Sequence, residues 1–187
     1  MSDNRVPLDT EFLIGEKDGA IGRMIFNNPE RRNAVKLSMW EAMPAVLDAF
    51  EADDDIKVVV LQGAGDQAFI SGADISEFAE VRATPESTKN YENAADGAMA
   101  RLSKCPKPTI AMVNGYCFGG AFCSLAACDI VVTADDATFG LSEINWGILP
   151  GGNVSKVFAD LASHRNAMFY AMTGRTFDGA KAVEMGI

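Results

Sequence analysis

Two stretches of this chain share one arrangement, and it limits the fold more than any other feature of the sequence. Phe69-Ile-Ser-Gly-Ala-Asp-Ile75 follows an apolar run, Lys57-Val-Val-Val-Leu61, and leads into a helix-forming segment. Asn114-Gly-Tyr-Cys-Phe-Gly-Gly-Ala121 follows a second apolar run, residues 109–114, and precedes a helix of small residues over 121–128. Short apolar runs bounded by breakers read as buried strands. At a helix start the first N–H groups lack internal partners and carry the positive end of the dipole. Glycine lets a ligand come close to that backbone. Two such strand-to-helix turns can aim two N–H groups at a single oxygen, which is an oxyanion hole. Either turn alone is ordinary turn chemistry. The loop that starts at Gly63-Ala-Gly-Asp66 does not fit the dinucleotide template, and no phosphate-binding P-loop occurs.

The rest of the chain continues the alternation. Residues 1–10 are polar and read as a flexible N-terminus. Residues 11–26 read as two strands around the turn Lys17-Asp18-Gly19. Residues 27–36 are a polar loop carrying Pro29. Ser38 and Glu41 have the spacing of a capping box, and Met43, Val46, Leu47 and Phe50 recur at helical intervals, with Pro44 an interruption. Residues 63–73 read as a glycine-containing loop, 74–82 as the opening of a helix and 84–104 as a more polar helix. Residues 115–120 read as a glycine-rich turn, 130–133 as a further strand and 137–143 as an extended segment. Helices are expected around 154–161, 165–172 and 179–185. Strands alternating with helices give an α/β fold with a partly parallel sheet.

The 187 residues suit one core domain, read as 11–187. A net charge of −10 repels nucleic-acid phosphates, so no nucleic-acid partner is expected. An anionic small ligand needs a local basic patch, for which Arg31 and Arg32 are the candidates. The four cysteines form no CxxC pair and there is one histidine, so no metal site is expected. The N-terminus has no signal-like apolar stretch and no run is long enough for a membrane span, which points to a reduced, cytoplasmic protein.

Asn28-Pro-Glu-Arg-Arg-Asn-Ala34, Ala68-Phe-Ile-Ser-Gly-Ala-Asp-Ile75, Lys107-Pro-Thr-Ile-Ala-Met-Val-Asn-Gly-Tyr-Cys-Phe-Gly-Gly120 and Ala137-Thr-Phe-Gly-Leu-Ser-Glu143 resemble, in order and spacing, the successive signatures of the enoyl-CoA hydratase/isomerase (crotonase) superfamily. The segment from Thr138 to Gly147 is more similar to the hydroxycinnamoyl-CoA (feruloyl-CoA) hydratase-lyases. The resemblance implies a crotonase-like spiral of strand-strand-helix repeats and an acyl-CoA substrate. Coenzyme A then enters as part of the thioester, with no separate cofactor. It also implies a homotrimer or hexamer.

The roles the resemblance implies are specific. The N–H groups of Ala73 and Gly120 hold the thioester oxygen, and Glu143 is the acid/base. Arg31, Ala34, Ser71 and Ile75 contact the CoA and thioester side. Phe78, Ser142 and Trp146 face the acyl group. Glu143 between Leu141 and Ile144 has the apolar neighbours that raise a carboxyl pKa; without the resemblance it reads as a surface loop glutamate. Three departures stand out. Cys123 occupies the place of a second glutamate in typical hydratases, which raises single-carboxylate hydration, lyase and isomerase alternatives. Phe78 occupies the place of a tyrosine that engages a phenolic hydroxyl in the lyases. The family's C-terminal helical region does not follow Ile187, so a truncated core is expected. Trp146 reads equally as pocket wall or core. A non-catalytic binding role is the remaining alternative.

Overall fold

β-hairpin chemistry opens the computed structural model, which describes residues 4–187. β1 (Leu13–Asp18) and β2 (Ile21–Phe26) pair antiparallel across residues 19–20, with Gly19 in the left-handed region at φ +59°. The turn thus falls one residue later than Lys17-Asp18-Gly19. The preceding segment does not hang free over its described part. Val6 N–H donates to Gly15 O at 2.8 Å and Lys17 N–H to Asn4 O at 2.7 Å. Residues 1–3 of the expected flexible stretch lie outside the described residues.

Helix α1 (Leu37–Ala52) buries Met43, Val46, Leu47 and Phe50, the apolar stripe expected from the sequence, together with Met39 and Trp40, and runs through Pro44. Its start corrects the capping-box expectation. No side chain caps from Lys36, and Ser38 lies inside the helix, where its hydroxyl meets Thr10 at 3.2 Å. The Leu37 N–H instead donates to Glu77 Oε2 at 3.0 Å. A carboxylate 40 positions away takes the place of a local cap, which no local pattern can reveal.

Three repeats of strand, strand and helix follow. β3 (Val58–Gly63) leads to β4 (Ala68–Ile70), α2 (Phe78–Val81) and α3 (Pro85–Leu102). β5 (Thr109–Val113) leads to β6 (Tyr116–Phe118) and α4 (Ala121–Ala127). β7 (Ile130–Thr133) leads to β8 (Thr138–Gly140) and α5 (Val154–Leu161). The first strand of each repeat joins one sheet, in the order β1-β2-β3-β5-β7. The second strand of each joins another, in which β4, β6 and β8 are parallel neighbours. That sheet is closed by β9 (Thr176–Asp178), antiparallel to β8, which follows α6 (His164–Thr173) and precedes α7 (Gly179–Met185). Residues 63–73 and 115–120 therefore each contain a three-residue strand instead of being loop or turn throughout. Strands this short are made by their neighbours, not by a local period.

Side chains from both sheets and the helices form one apolar cluster. Beneath the second sheet it is aromatic: Phe122 of α4 lies 4.7 Å from Phe158 of α5, and Phe139 of β8 stacks on Phe177 of β9 at 5.4 Å. Pairs of this kind add about 0.5–1.5 kcal/mol beyond area burial. Phe122 also lies 6.3 Å from Phe139, which joins α4 to β8, the two elements whose ends carry the chemistry below. Among the described residues no helix is long and apolar enough to cross a membrane.

Candidate active site

Parallel neighbours end at the same edge of a sheet, and ligands in α/β proteins gather beyond the carboxyl ends of the strands. β4 ends at Ile70, β6 at Phe118 and β8 at Gly140, and pairing sets Ile70 beside Cys117 and Phe118 beside Gly140. Adjacent strands lie about 4.8 Å apart. The three segments leaving that edge carry Ala73, Gly120 and Glu143.

The first segment is turned by Gly72, at φ +101°. Val35 N–H donates to Gly72 O at 2.8 Å, and Asp74 N–H donates to Val35 O at 2.9 Å. This parallel bridge consumes the groups on either side of Ala73 and leaves the Ala73 N–H facing away from Val35. A Cβ placed on Gly72 would lie 3.6 Å from Phe118 O, so this loop rests against the second one.

The second segment turns at Gly119, φ +56°, whose N–H donates to Gly140 O at 3.0 Å. Gly120 then caps α4. A Cβ added at Gly120 would meet nothing within 4 Å, so the space before it is open. Among the described residues, neither the Ala73 N–H nor the Gly120 N–H has an acceptor.

The third segment brings Glu143. Its Oε1 lies 2.9 Å from where a Cβ on Gly119 would sit, so only glycine allows the carboxylate this close to the turn. Its Oε2 is buried and has no hydrogen-bond partner among the described residues. Burial holds the Glu143 carboxyl above its ordinary range. The desolvating neighbourhood differs from the one read in the sequence: Leu141 is buried, whereas Ile144 is 47% exposed. Cys123 lies in the first turn of α4, close enough to feel the charge of this carboxylate. Burial first, then the negative charges of Asp96 and Glu143, push its thiol up to about 11, so it stays protonated.

Asp74 holds the first loop, and Asn28 and Asn33 fix the segment that leads to Val35, its bridging partner; no role for these three was read from the sequence. Asp74 is 3% exposed and accepts from Ser76 N–H at 3.0 Å and from the Ser76 hydroxyl at 2.6 Å. Burial pushes its carboxyl up, but the Ser76 bonds, with Arg31 and Lys36 nearby, outweigh this and hold it below the usual range. Asn28 donates to Ala34 O at 2.9 Å. Asn33 is fully buried at φ +55°; it accepts from Asn28 N–H at 3.0 Å and donates to Ala64 O at 3.0 Å and Ala68 O at 2.7 Å. A left-handed non-glycine residue is uncommon, and asparagine tolerates it best. Asparagines flanking a charged loop were the available signal.

The other sequence candidates fall into two groups. Ser71 donates its hydroxyl to Arg31 O at 3.2 Å, and Ala34 is buried beside them. Arg31, its side chain 57% exposed, lies 3.9 Å from Asp74, and Arg32 stacks on Tyr116 at 4.7 Å. Ile75 is 59% exposed near this group. Ser142 is half-buried beside Glu143. Trp146 is 70% exposed, which removes the core alternative for it, because nothing in the described chain covers that indole. Phe78 packs edge-on against Tyr91 of α3, ring centroids 6.3 Å apart.

A family model described as enoyl-CoA hydratase/isomerase matches residues 16–187. A hydroxycinnamoyl-CoA hydratase-lyase of Pseudomonas fluorescens is 49% identical over 175 residues, covering 92% of this chain and 63% of that protein. A short-chain-enoyl-CoA hydratase of Clostridium acetobutylicum is 32% identical, covering 96% of this chain and 68% of its own length. The crystal structure of an enoyl-CoA hydratase/carnithine racemase from Magnetospirillum magneticum superposes with a TM-score of 0.87 at 31% identity, over 96% of this chain and 67% of that one. The chain thus spans about two thirds of the length of the relatives it matches.

Proposed function

This chain belongs to the enoyl-CoA hydratase/isomerase family, and from that premise we propose that it processes acyl-CoA thioesters by adding water to a 2-enoyl group. The observation that carries this reading is the shared edge of β4, β6 and β8, from which two unpartnered N–H groups and one unpartnered carboxylate oxygen emerge together.

The thioester oxygen sits between the Ala73 and Gly120 N–H groups. As water adds to C3 of the acyl chain, electrons move from the double bond onto that oxygen, giving an enolate. Each donor aimed at such a charge is worth about 2.7–4 kcal/mol in comparable sites. Glu143 takes the proton from the attacking water and returns it to C2, which restores the thioester. Proton relay by one positioned group contributes about 10²–10⁴-fold. The raised carboxyl pKa suits a group that both accepts and donates at neutral pH. Cys123, a neutral thiol, is a weak donor and takes no proton from water. One carboxylate therefore does both transfers.

Arg31, Ala34, Ser71 and Ile75 belong to the coenzyme A side of this reading, with Phe78, Ser142 and Trp146 on the acyl side. Coenzyme A enters as part of the substrate, and no metal or redox cofactor takes part. A cytoplasmic location, a role of the fatty-acid-metabolism type and a homotrimer or hexamer complete it. A second reading, hydration followed by cleavage of a hydroxycinnamoyl-CoA, is favoured by the 49% identity to a hydratase-lyase. Movement of a 3-enoyl double bond is the isomerase version of the same enolate chemistry.

Assays with crotonyl-CoA, feruloyl-CoA and a 3-enoyl-CoA separate these. Loss of the 2-enoyl absorbance with a 3-hydroxyacyl product supports hydration. Appearance of an aromatic aldehyde supports cleavage, and a 2-enoyl product from the 3-enoyl thioester supports isomerisation. Silence of the chain on all three overturns the reading.

A further inference from the structure

Arg32 and Asn33 are the two non-glycine residues in the left-handed region among the described residues, at φ +53° and +55°. Such backbone persists only where its surroundings over-determine it, and it gathers at ligand-binding sites. Here the Arg32 N–H donates to Pro29 O at 3.0 Å, and the buried Asn33 donates to Ala64 O and Ala68 O. The turn sets the Arg32 guanidinium over the Tyr116 ring, 4.7 Å from its centre. Tyr116 is 36% exposed, and its ring centre lies 5.7 Å from that of Phe118. Phe118 O in turn lies 3.6 Å from where a Cβ on Gly72 would sit. On the other flank the Ser71 hydroxyl donates to Arg31 O at 3.2 Å. Arg32 and Tyr116 are thus joined, through neighbours on both flanks, to the loop that carries Ala73. A strand rises about 3.3 Å per residue, so Tyr116 stands roughly 10 Å before the turn at Gly119.

Stacking fixes the plane of the guanidinium and uses none of its five N–H donors. Among the described residues Arg32 makes no ion pair, whereas Arg31 lies 3.9 Å from the buried Asp74 carboxylate. In a chain of net charge −10, Arg32 is therefore the cation beside this loop that is left to meet an anion. The fork of a guanidinium fits a phosphate. We propose that Arg32, seated on Tyr116, selects the carrier of the acyl group. It pairs with a phosphate of the coenzyme A nucleotide, so the chain takes CoA thioesters in preference to thioesters of pantetheine alone. The pantetheine arm spans the distance from the Ala73 and Gly120 N–H groups to this shelf. The inference rests on the proposed acyl-CoA site and adds which carrier that site accepts.

The test uses the full chain and the butyryl thioesters of CoA, dephospho-CoA and pantetheine, whose saturated acyl group takes up no water. By calorimetry the wild type is expected to bind butyryl-CoA about tenfold more tightly than butyryl-pantetheine, or better. A loss already present with dephospho-CoA assigns the pairing to the 3′-phosphate, and a loss confined to pantetheine assigns it to the diphosphate. In Arg32→Met the ratio should fall towards one. Arg32→Lys, which keeps the charge without the fork, should give an intermediate ratio, as should Tyr116→Leu, which removes the seat. Added salt should lower the wild-type ratio. An Arg32-dependent carrier preference in a chain that turns over no enoyl thioester would reject the reaction and keep this inference. Equal binding of all three thioesters by a wild type that hydrates crotonyl-CoA, or an unchanged ratio in a folded Arg32→Met, overturns the inference and leaves the reaction standing. No binding of any of the three overturns both.

Discussion

The loop over residues 71–74 and the segment that begins at Glu143 flank the same site and are built on opposite principles. The first is over-determined: Val35 bridges it on both sides of Ala73, Ser71 donates to Arg31 O, Asp74 accepts from Ser76, and the segment it rests on is itself fixed by Asn28 and Asn33. The second holds a buried carboxylate oxygen with no partner and continues through Ile144, Trp146, Ile148 and Leu149, all exposed. A backbone donor works by staying still, so its loop is fixed with hydrogen bonds. A proton carrier works by being unpaired, so its segment withholds them. Stability sits on one side of the site and reactivity on the other.

Changes that touch one side only should separate activity from stability. The largest effect is expected from Glu143→Gln, which keeps shape but carries no proton: turnover of a 2-enoyl-CoA falls by about 10²–10⁴-fold. Thermal melting should show no loss of stability, because the buried unpaired acceptor is relieved. A melting temperature that drops in step with activity would break the contrast. On the other side, Asn33→Ala strips partners from two buried carbonyls and one N–H and forces alanine to φ +55°. A loss of about 2–4 kcal/mol in urea unfolding is expected.

Smaller, and opposite in sign, are the pH effects. Burial holds the Glu143 carboxyl above its ordinary 4.5, so the folded chain binds that proton more tightly than the unfolded chain. Its contribution to stability is present below pH 4.5 and is lost as pH rises through the raised value. Asp74 is held below its ordinary 3.8, so its contribution is present above that pH and is lost as pH falls through the depressed value. Unfolding of the wild type against Glu143→Gln and against Asp74→Asn, across pH, should give difference curves of opposite slope. Turnover should rise as Glu143 ionises. Parallel slopes would show that the two carboxylates share one environment.

The smallest effect concerns Cys123. With its thiol pushed up to about 11, roughly one part in a thousand is thiolate at pH 8, so iodoacetamide should label it slowly in the folded chain. Cys123→Ser is expected to change stability by no more than about 1 kcal/mol. Rapid labelling would mean that the thiol is not buried in this way.

What could be read from the sequence followed a simple division. Met43, Val46, Leu47 and Phe50 declared α1 because a helix repeats its apolar face, and the apolar runs alternating with helices declared the α/β class. β4, β6 and β9 stayed hidden because three residues carry no period and exist only by pairing with their neighbours. Ser38 misled because the true cap, Glu77, comes from across the fold. At the site, Gly72 and Gly119 were legible as members of two strand-to-helix turns, and both have positive φ. The bonds of Asn33 were not, since they join residues 31 and 35 positions apart in the chain. Trp146 could be read either way until its exposure was known.

One crystal structure with a bound, unreactive acyl-CoA analogue addresses the account most directly. The thioester oxygen is expected about 2.7–3.1 Å from the backbone nitrogens of both Ala73 and Gly120, with a Glu143 oxygen in reach of the acyl C2 and C3. A thioester seated elsewhere, or one of those two N–H groups bonded to protein in the complex, would contradict it.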